Sequence, residues 1–415
     1  LPSGPPPVSC APMSDRARPT MGMVELVGFL AVAMSLNALA IDIVLPGLPA
    51  LGASLDIAEP NRRQLVIVVY LIAMGASQLV HGPLADRYGR RPTLLAGLAI
   101  YAVAGLASAL APSFAVLIAA RAVQGFGAGA ARVVAVSIAR DRYRGAEMAR
   151  VMSLVTMTFL VVPILAPSIG QVMLWVASWR WIFVVLAVAG AALALWARAR
   201  LDETLDPANR RALTPRAVAA ALREVVTTRA TAVPMLAMAT ASGALMAYVT
   251  SSQQVFQDGF GVGASFALLF ALIAVTMSAA AFANARLVRR VGPARLARRA
   301  LHAMIATSAL AAALAVSDRL SLPAFELLSC LTMMSFGFVG SNLNAVAMEP
   351  MGHLAGTASS VIGAVSTVAS AILGGVVGHL FDGTARPLLV ATLVLAVVAR
   401  GLLLLAPTVR PPRPA

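Results

Sequence analysis

The chain has no lysine, 17 acidic residues, four histidines and two cysteines, and only 12% of its 415 positions are charged. Each scarcity removes a class of explanation. A water-soluble domain carries about a quarter charged residues, so a chain this poor in charge lacks the surface such a domain needs. His81, His302, His353 and His379 are scattered without metal-ligand spacing, and no G-x-x-x-x-G-K-[ST] loop is present; zinc chemistry and a resident nucleotide motor are set aside. No nucleophile is paired with a base in the sequence, so the protein reads as no enzyme, and no cofactor is expected. Cys10 and Cys330 fall in an N-terminal tail and an apolar segment, which argues against a disulfide framework. The missing lysine, beside abundant Ala and Arg, reads as a composition bias without function.

What fills the space is apolar. Hydrophobic residues make up 60% of the chain, and twelve runs recur at roughly 23–48, 63–84, 93–111, 114–137, 150–173, 179–198, 231–254, 264–287, 297–316, 323–346, 357–380 and 386–407. Runs of that length cross a hydrocarbon core about 30 Å thick as helices, which predicts an all-α polytopic membrane protein. Small residues crowd them, as in GLAIYAVAGLASAL (97–110). Because lipid gives helices no hydrophobic reason to associate, such residues act by letting backbones approach closely, and a tightly packed bundle follows.

A net charge of +15 would suggest nucleic acid in a soluble protein, so its location decides. The tails and the even-numbered connections hold 24 of the 32 arginines, and the odd-numbered connections hold five, Arg62, Arg63, Arg180, Arg319 and Arg386. Positive residues stay in the cytoplasm during insertion. The excess is therefore a topology signal that puts both termini inside, with the lipid bilayer and not nucleic acid as the partner. Residues 1–22 read as a disordered cytoplasmic tail without a signal peptide, and 408–415 as a second tail.

The longest polar connection, 199–230, divides the chain into six-helix halves at 23–198 and 231–407. Placing PLADRYG (83–89) over RLVRRVG (286–292) matches Leu84 with Leu287, Arg87 with Arg290 and Gly89 with Gly292. The match is short, but each copy joins the second and third spans of its half, as an internal repeat requires. Two pseudo-symmetric halves across a central cavity are expected, on one chain and hence as a monomer.

Within that repeat, GPLADRYGRRP (82–92) closely resembles the G-x-L-a-D-R-x-G-R-R/K loop of the major facilitator superfamily. The resemblance implies a cytoplasmic latch built from Gly82, Asp86, Arg87, Gly89, Arg90 and Arg91, closing the halves when the cavity faces outward. RAVQGFGAGAA (121–131) resembles the fourth-span motif of proton-coupled members through Arg121, Gln124 and Gly125. VPILAPSIGQ (162–171) is similar to the fifth-span antiporter motif G-P-x-x-G-G, with Pro163, Pro167 and Gly170 present but Ala166 and Gln171 in place of glycines. AIDIVLPGLPAL (40–51), SSQQVFQ (251–257) and AMEPMGHLAGTASSVIG (347–363) look like the bicyclomycin and chloramphenicol resistance branch of the drug:proton antiporters. That branch implies a bacterial inner-membrane exporter of small drugs, driven by the proton motive force. A proton-coupled importer of a metabolite on the same scaffold is the alternative.

The residues allow a separate argument. A charge at mid-membrane costs about 2.5–3.5 kcal/mol on insertion scales and calls for a use. Asp42 is the clear intramembrane acid, and Arg121 lies at similar depth in span four. Asp42 is expected to carry the proton, with the Arg121 charge biasing its release; a static Asp–Arg pair is the structural alternative. Pro46 and Pro49 are expected to end or bend the first helix just beyond it. Gln78, Gln124, Gln253 and Asn342 line the cavity or bond neighbouring helices. Tyr70 and Tyr248 stack on an aromatic substrate or pack. Glu326, close to the outer boundary of span ten, is expected to snorkel to water, and Trp175, Trp179 and Trp181 to anchor at the interface.

Overall fold

The computed structural model describes residues 21–143, 145–210 and 215–405. Cys10, most of the expected N-terminal tail and all of 408–415 lie outside the described residues, as do Arg144, Arg211 and 212–214 in the connections.

Among the described residues twelve helices are long and apolar enough to span a membrane. In order they are Met23–Ser54, Pro60–Tyr88, Arg90–Ala109, Phe114–Arg142, Arg150–Val176 and Arg180–Arg200, then Arg229–Gly259, Gly263–Val291, Pro293–Val316, Leu322–Gly352, Gly356–His379 and Arg386–Leu404. Several run beyond the apolar segments read from the sequence. A helix does not stop where hydrophobicity stops, and Arg140 and Arg142 continue span four past its apolar stretch. A further helix, Pro215–Thr227, lies between the sixth and seventh spans.

The packing repeats by halves. In the first half, span one lies against five, two against four, three against four, and three against six. The second half has the same pairs six numbers on: seven with eleven, eight with ten, nine with ten, and nine with twelve. Between halves, span two packs on eleven and span five on eight, contacts that exchange when the halves are swapped. This is the pseudo-symmetric two-half bundle expected from the weak seven-residue repeat.

The repeat also holds in the backbone. Gly89 (φ 108°, ψ 160°) and Gly292 (φ 83°, ψ 149°) each form the whole turn from the second helix of a half into the third. Side chains other than hydrogen rarely tolerate those angles, so both copies require glycine at the hinge.

The two halves meet unevenly. One apolar core joins the first half to the parts of the second nearest the arginine-poor face, including Tyr248, Phe256, Phe270, Phe325 and Val377. Toward the arginine-rich face the second half keeps a separate core of its own, built on Met235, Leu301, Val339, Leu343 and Ile362. The halves are thus joined at the arginine-poor face and keep separate cores at the other.

Candidate functional site

Within the first span the α-helix stops at Asp42, gives way to a short 3-10 turn, Leu45–Gly47, and resumes as Leu48–Ser54. Pro46 has no amide hydrogen to give the carbonyl four residues back, which is why the helix stops there. Asp42 is 5% exposed, and among the described residues its carboxyl makes no ion pair or hydrogen bond. Span five backs this break: the chain approaches so closely that a side chain at Gly170 would meet the Ile43 carbonyl and the Pro46 ring. Pro163 and Pro167 lie inside that same helix without ending it.

Arg121 is fully buried, but it does not pair with Asp42. Its donors are taken by the carbonyls of Val66 (3.0 Å) and Ala40 (3.0 Å) and by Gln124 Oε1 (2.7 Å). Its guanidinium carbon sits 4.2 Å from the Tyr70 ring centroid and 5.6 Å from that of Phe183. Ala40 lies in the last turn of its helix, where carbonyls lack intrahelical donors, so Arg121 caps a helix end two residues from the acid. Tyr70 is the shelf for this cation, and its hydroxyl donates to Asn37 Oδ1 at 3.3 Å. Unused polar atoms remain around it: Asn37 Nδ2, Gln124 Nε2 and the Tyr101 hydroxyl are buried without partners. Asn37 and Tyr101 were not singled out from the sequence, although a lone Asn inside an apolar span was the available signal.

The other polar positions separate by depth. Gln78 is buried with Nε2 unpartnered, and its Oε1 faces Gly363 of span eleven, whose missing side chain makes the room. Asn342 donates to Asn284 Oδ1 at 2.6 Å and is a helix-to-helix tie within the second half. Gln253 donates to Gln257 (2.9 Å) and keeps a buried, unpartnered Oε1. Tyr248 stacks on Phe270, centroids 5.9 Å apart. Of the three tryptophans expected at the interface, Trp175 and Trp181 are exposed, but Trp179 is buried and donates to Ser54 Oγ at 2.6 Å.

The arginine-poor face is tied across the halves. Asn61 Nδ2 donates to the carbonyls of His379 (3.0 Å) and Phe381 (2.9 Å), and its Oδ1 accepts from Gln254 Nε2 at 2.5 Å. Arg63 meets Asp258 at 3.5 Å, and His379 meets Glu59 at 3.4 Å. Gln254 opens a π-helical turn, Gln254–Gly259, at the end of span seven; such turns are rare and collect at functional sites.

At the opposite face the 82–92 loop is bound to span four and to the 199–230 connection. Arg90 lies between Asp86 (2.5 Å) and Asp141 (2.9 Å). Glu203 accepts from the backbone amides of Arg90 (2.9 Å), Arg91 (3.2 Å) and Leu205 (2.9 Å), capping the third span. Arg91 also donates to the Arg198 carbonyl at 2.8 Å, and Arg87 lies over the ring of Tyr88. The loop's partners, Asp141 in the last turn of span four and Glu203 in the 199–230 connection, are distant in sequence and leave no local pattern in it. Toward the second half, Gly82 lies against Ser360 of span eleven.

The comparisons agree with this architecture. The Major Facilitator Superfamily model matches residues 30–374. An uncharacterized MFS-type transporter, YdgK, of Bacillus subtilis is 31% identical over 91% of this chain and 93% of its own length. A bicyclomycin resistance protein homolog of Haemophilus influenzae is 29% identical over 89% and 94%. Multidrug resistance protein D of Escherichia coli is 35% identical over 41% of this chain and 44% of its own. Among solved structures, the human organic anion transporter MFSD10 superposes with a TM-score of 0.72 at 21% identity, covering 92% of this chain and 100% of that one. The Escherichia coli xylose transporter XylE, in a partially occluded inward-open conformation, gives 0.71 at 11% identity over 91% and 96%. The chain is a multi-pass membrane transporter and belongs to the major facilitator superfamily, where its relatives include bicyclomycin and multidrug resistance proteins.

Proposed function

We propose that the protein is a proton-coupled exporter of small amphipathic compounds, working as a monomer in the bacterial inner membrane. The arginine-rich face, both termini and the 199–230 connection are cytoplasmic in this reading, following the charge asymmetry. The observation that carries it is Asp42: a carboxyl almost wholly out of water, at a helix end, with no partner to neutralise it among the described residues. Such a group gains most from a proton. The similarity to a bicyclomycin resistance protein homolog over 89% of the chain supports drugs as cargo.

In the cycle that follows, the halves are sealed at the outer face by the Asn61 ties, and cargo enters from the cytoplasm. Protonation of Asp42 from outside and drug binding exclude one another, so exchange follows when access alternates. The 82–92 loop, tied to span four by Asp141 and to the central connection by Glu203, is carried with the first half and latches the cytoplasmic side when the outer side opens. The decisive experiment uses inverted membrane vesicles with an acid interior. Adding bicyclomycin, chloramphenicol or a lipophilic cation is expected to release protons from the lumen; silence across these compounds, with proton-coupled metabolite uptake in right-side-out vesicles, moves the reading to an importer.

The outer seal gives its own prediction. Asn61→Ala removes three hydrogen bonds between the halves, each worth about 1 kcal/mol, which moves a two-state balance by roughly a hundredfold. Thr250 is fully buried in the closed arrangement. A cysteine placed there, with Cys10 and Cys330 changed to Ser, is expected to react with an external membrane-impermeant maleimide at least about tenfold faster in the Asn61→Ala background. An unchanged rate removes the gate role.

A further inference from the structure

The second half answers few of its arginines with acids. Of the five acids in 231–407, Asp258, Asp318 and Asp382 belong to the arginine-poor face, and Glu326, expected to reach water, is instead buried, 8% exposed, near that end of span ten. Glu349 alone lies toward the arginine-rich face, against six arginines from Arg286 to Arg299 and Arg400 in span twelve. Among the described residues none of these seven forms an ion pair. The first half treats the equivalent helix ends differently. There Arg90, opening span three, is held by Asp86 and Asp141, and Arg200, closing span six, by Glu25 at 2.8 Å. Spans nine and twelve are the counterparts of three and six, yet their ends carry cations without anions. A positive face sets topology in both halves, so topology does not account for the difference.

The unpaired cations share one side of the bundle. Arg295, Arg299 and His302 are spaced by four and three residues, which puts them on one face of span nine, and all three are exposed. His302 lies within the apolar run 297–316, where an exposed side chain faces lipid. Arg400 reaches this face from span twelve: its Nε donates to His302 Nε2 at 2.9 Å, and its Nη1 is buried without a partner. It stands four residues before the end of its helix at Leu404, about 6 Å along the axis. The imidazole orients the guanidinium without neutralising it, so a fixed positive charge is held between two spans, near headgroup depth.

An arginine held inside a membrane calls for an anion, and basic pockets between spans at the cytoplasmic leaflet take anionic lipid headgroups. The planar fork of Arg400 suits the paired oxygens of a phosphate. Apolar surface continues from the charged end: Leu310, two turns beyond His302 on the same face, and Val397, one turn before Arg400, are both exposed. A free phosphate has no use for that surface, whereas acyl chains do. We infer that His302 and Arg400, with Arg295 and Arg299 nearer the face, bind the phosphate headgroup of an anionic phospholipid whose chains run along spans nine and twelve. This site requires only a membrane and stands whether or not the protein exports drugs.

Binding of acyl-labelled phosphatidylglycerol and phosphatidylcholine is measured by fluorescence anisotropy on the purified full chain in a neutral detergent. The intact protein is expected to prefer phosphatidylglycerol at least about tenfold. Arg299→Gln combined with Arg400→Gln is expected to lower phosphatidylglycerol affinity at least about tenfold and to leave phosphatidylcholine unchanged. Arg289 and Arg290, in the last turn of span eight, supply the control. Changing both to Gln removes the same charge and is expected to alter the affinity less than about twofold. Equal losses in the two double variants, or no preference in the intact protein, overturn the site. Arg299→Gln alone, at an exposed position, keeps the test open if the pair does not fold; a loss of about fivefold is expected, and an unchanged affinity overturns the proposal. Displacement of the labelled lipid by inorganic phosphate as readily as by unlabelled phosphatidylglycerol assigns the site to a soluble anion and also overturns it.

Discussion

Asp42→Asn yields a protein that inserts and folds but no longer releases protons when a drug is added to acid-loaded inverted vesicles. Asparagine keeps the shape of the side chain and removes the charge. Among the described residues the Asp42 carboxyl holds no hydrogen bond and no ion pair, so the substitution breaks no structural tie. It relieves a buried group of its desolvation cost, and thermal stability is expected to stay level or rise. Coupling, in contrast, falls to the level of vesicles without the protein, because the buried carboxyl at the end of the first helix is no longer there to carry the proton. Residual drug flux in the variant runs only downhill and does not respond to the pH gradient. Asp42→Glu, which keeps an acid and moves it by one methylene, retains measurable coupling. Normal proton release by a well-expressed Asn variant would assign the proton to another group.

The fold was legible because its main signals are local and repeated. Apolar runs set the spans, arginine placement set the two faces, and the 82–92 loop with its faint copy at 286–292 set the halves. Gly89 and Gly292 show why so short a match was meaningful: both satisfy the same backbone turn. The candidate site was legible only by residue type. Asp42, Arg121, Gln124 and Tyr70 were picked out as polar groups in apolar helices, and all four are buried on the same bundle of spans. Which atoms bond which is set by helix rotation and depth, and apolar spacing fixes neither within a helix that is hydrophobic on every side. Arg121 and Asp42 stand at similar depth, but the arginine's donors turn to carbonyls. Glu326 shows the same limit, since its place near the end of a span suggested water while its rotation aims it inward. Asn61, which ties the halves together, lies in an ordinary-looking connection; its partners are more than 190 positions away in sequence.

Arg121 is expected to matter more for the fold than a charge beside a proton site would. Truncation to Ala leaves the carbonyls of Val66 and Ala40 and the Gln124 amide oxygen without their donor, and opens a space between Tyr70 and Phe183. Breaking a buried charged network of this kind costs about 3–5 kcal/mol, enough to lower the melting temperature by roughly 10 °C. Lysine distinguishes the two roles. It keeps the positive charge but replaces a planar fork with a single point, and cannot serve three acceptors on spans one, two and four together. If the residue acts by charge alone, Arg121→Lys retains stability and coupling. The geometry predicts instead that Lys loses at least half as much stability as Ala and broadens the pH profile of drug-triggered proton release. A melting temperature in Arg121→Ala equal to that of the intact protein would remove the positioning role. The reason is mechanical. By holding the Ala40 carbonyl at the end of the first helix, the guanidinium fixes the break that carries Asp42 to spans two and four. The acid must then move with the first half as one body, and its exposure changes only when the halves rock against each other.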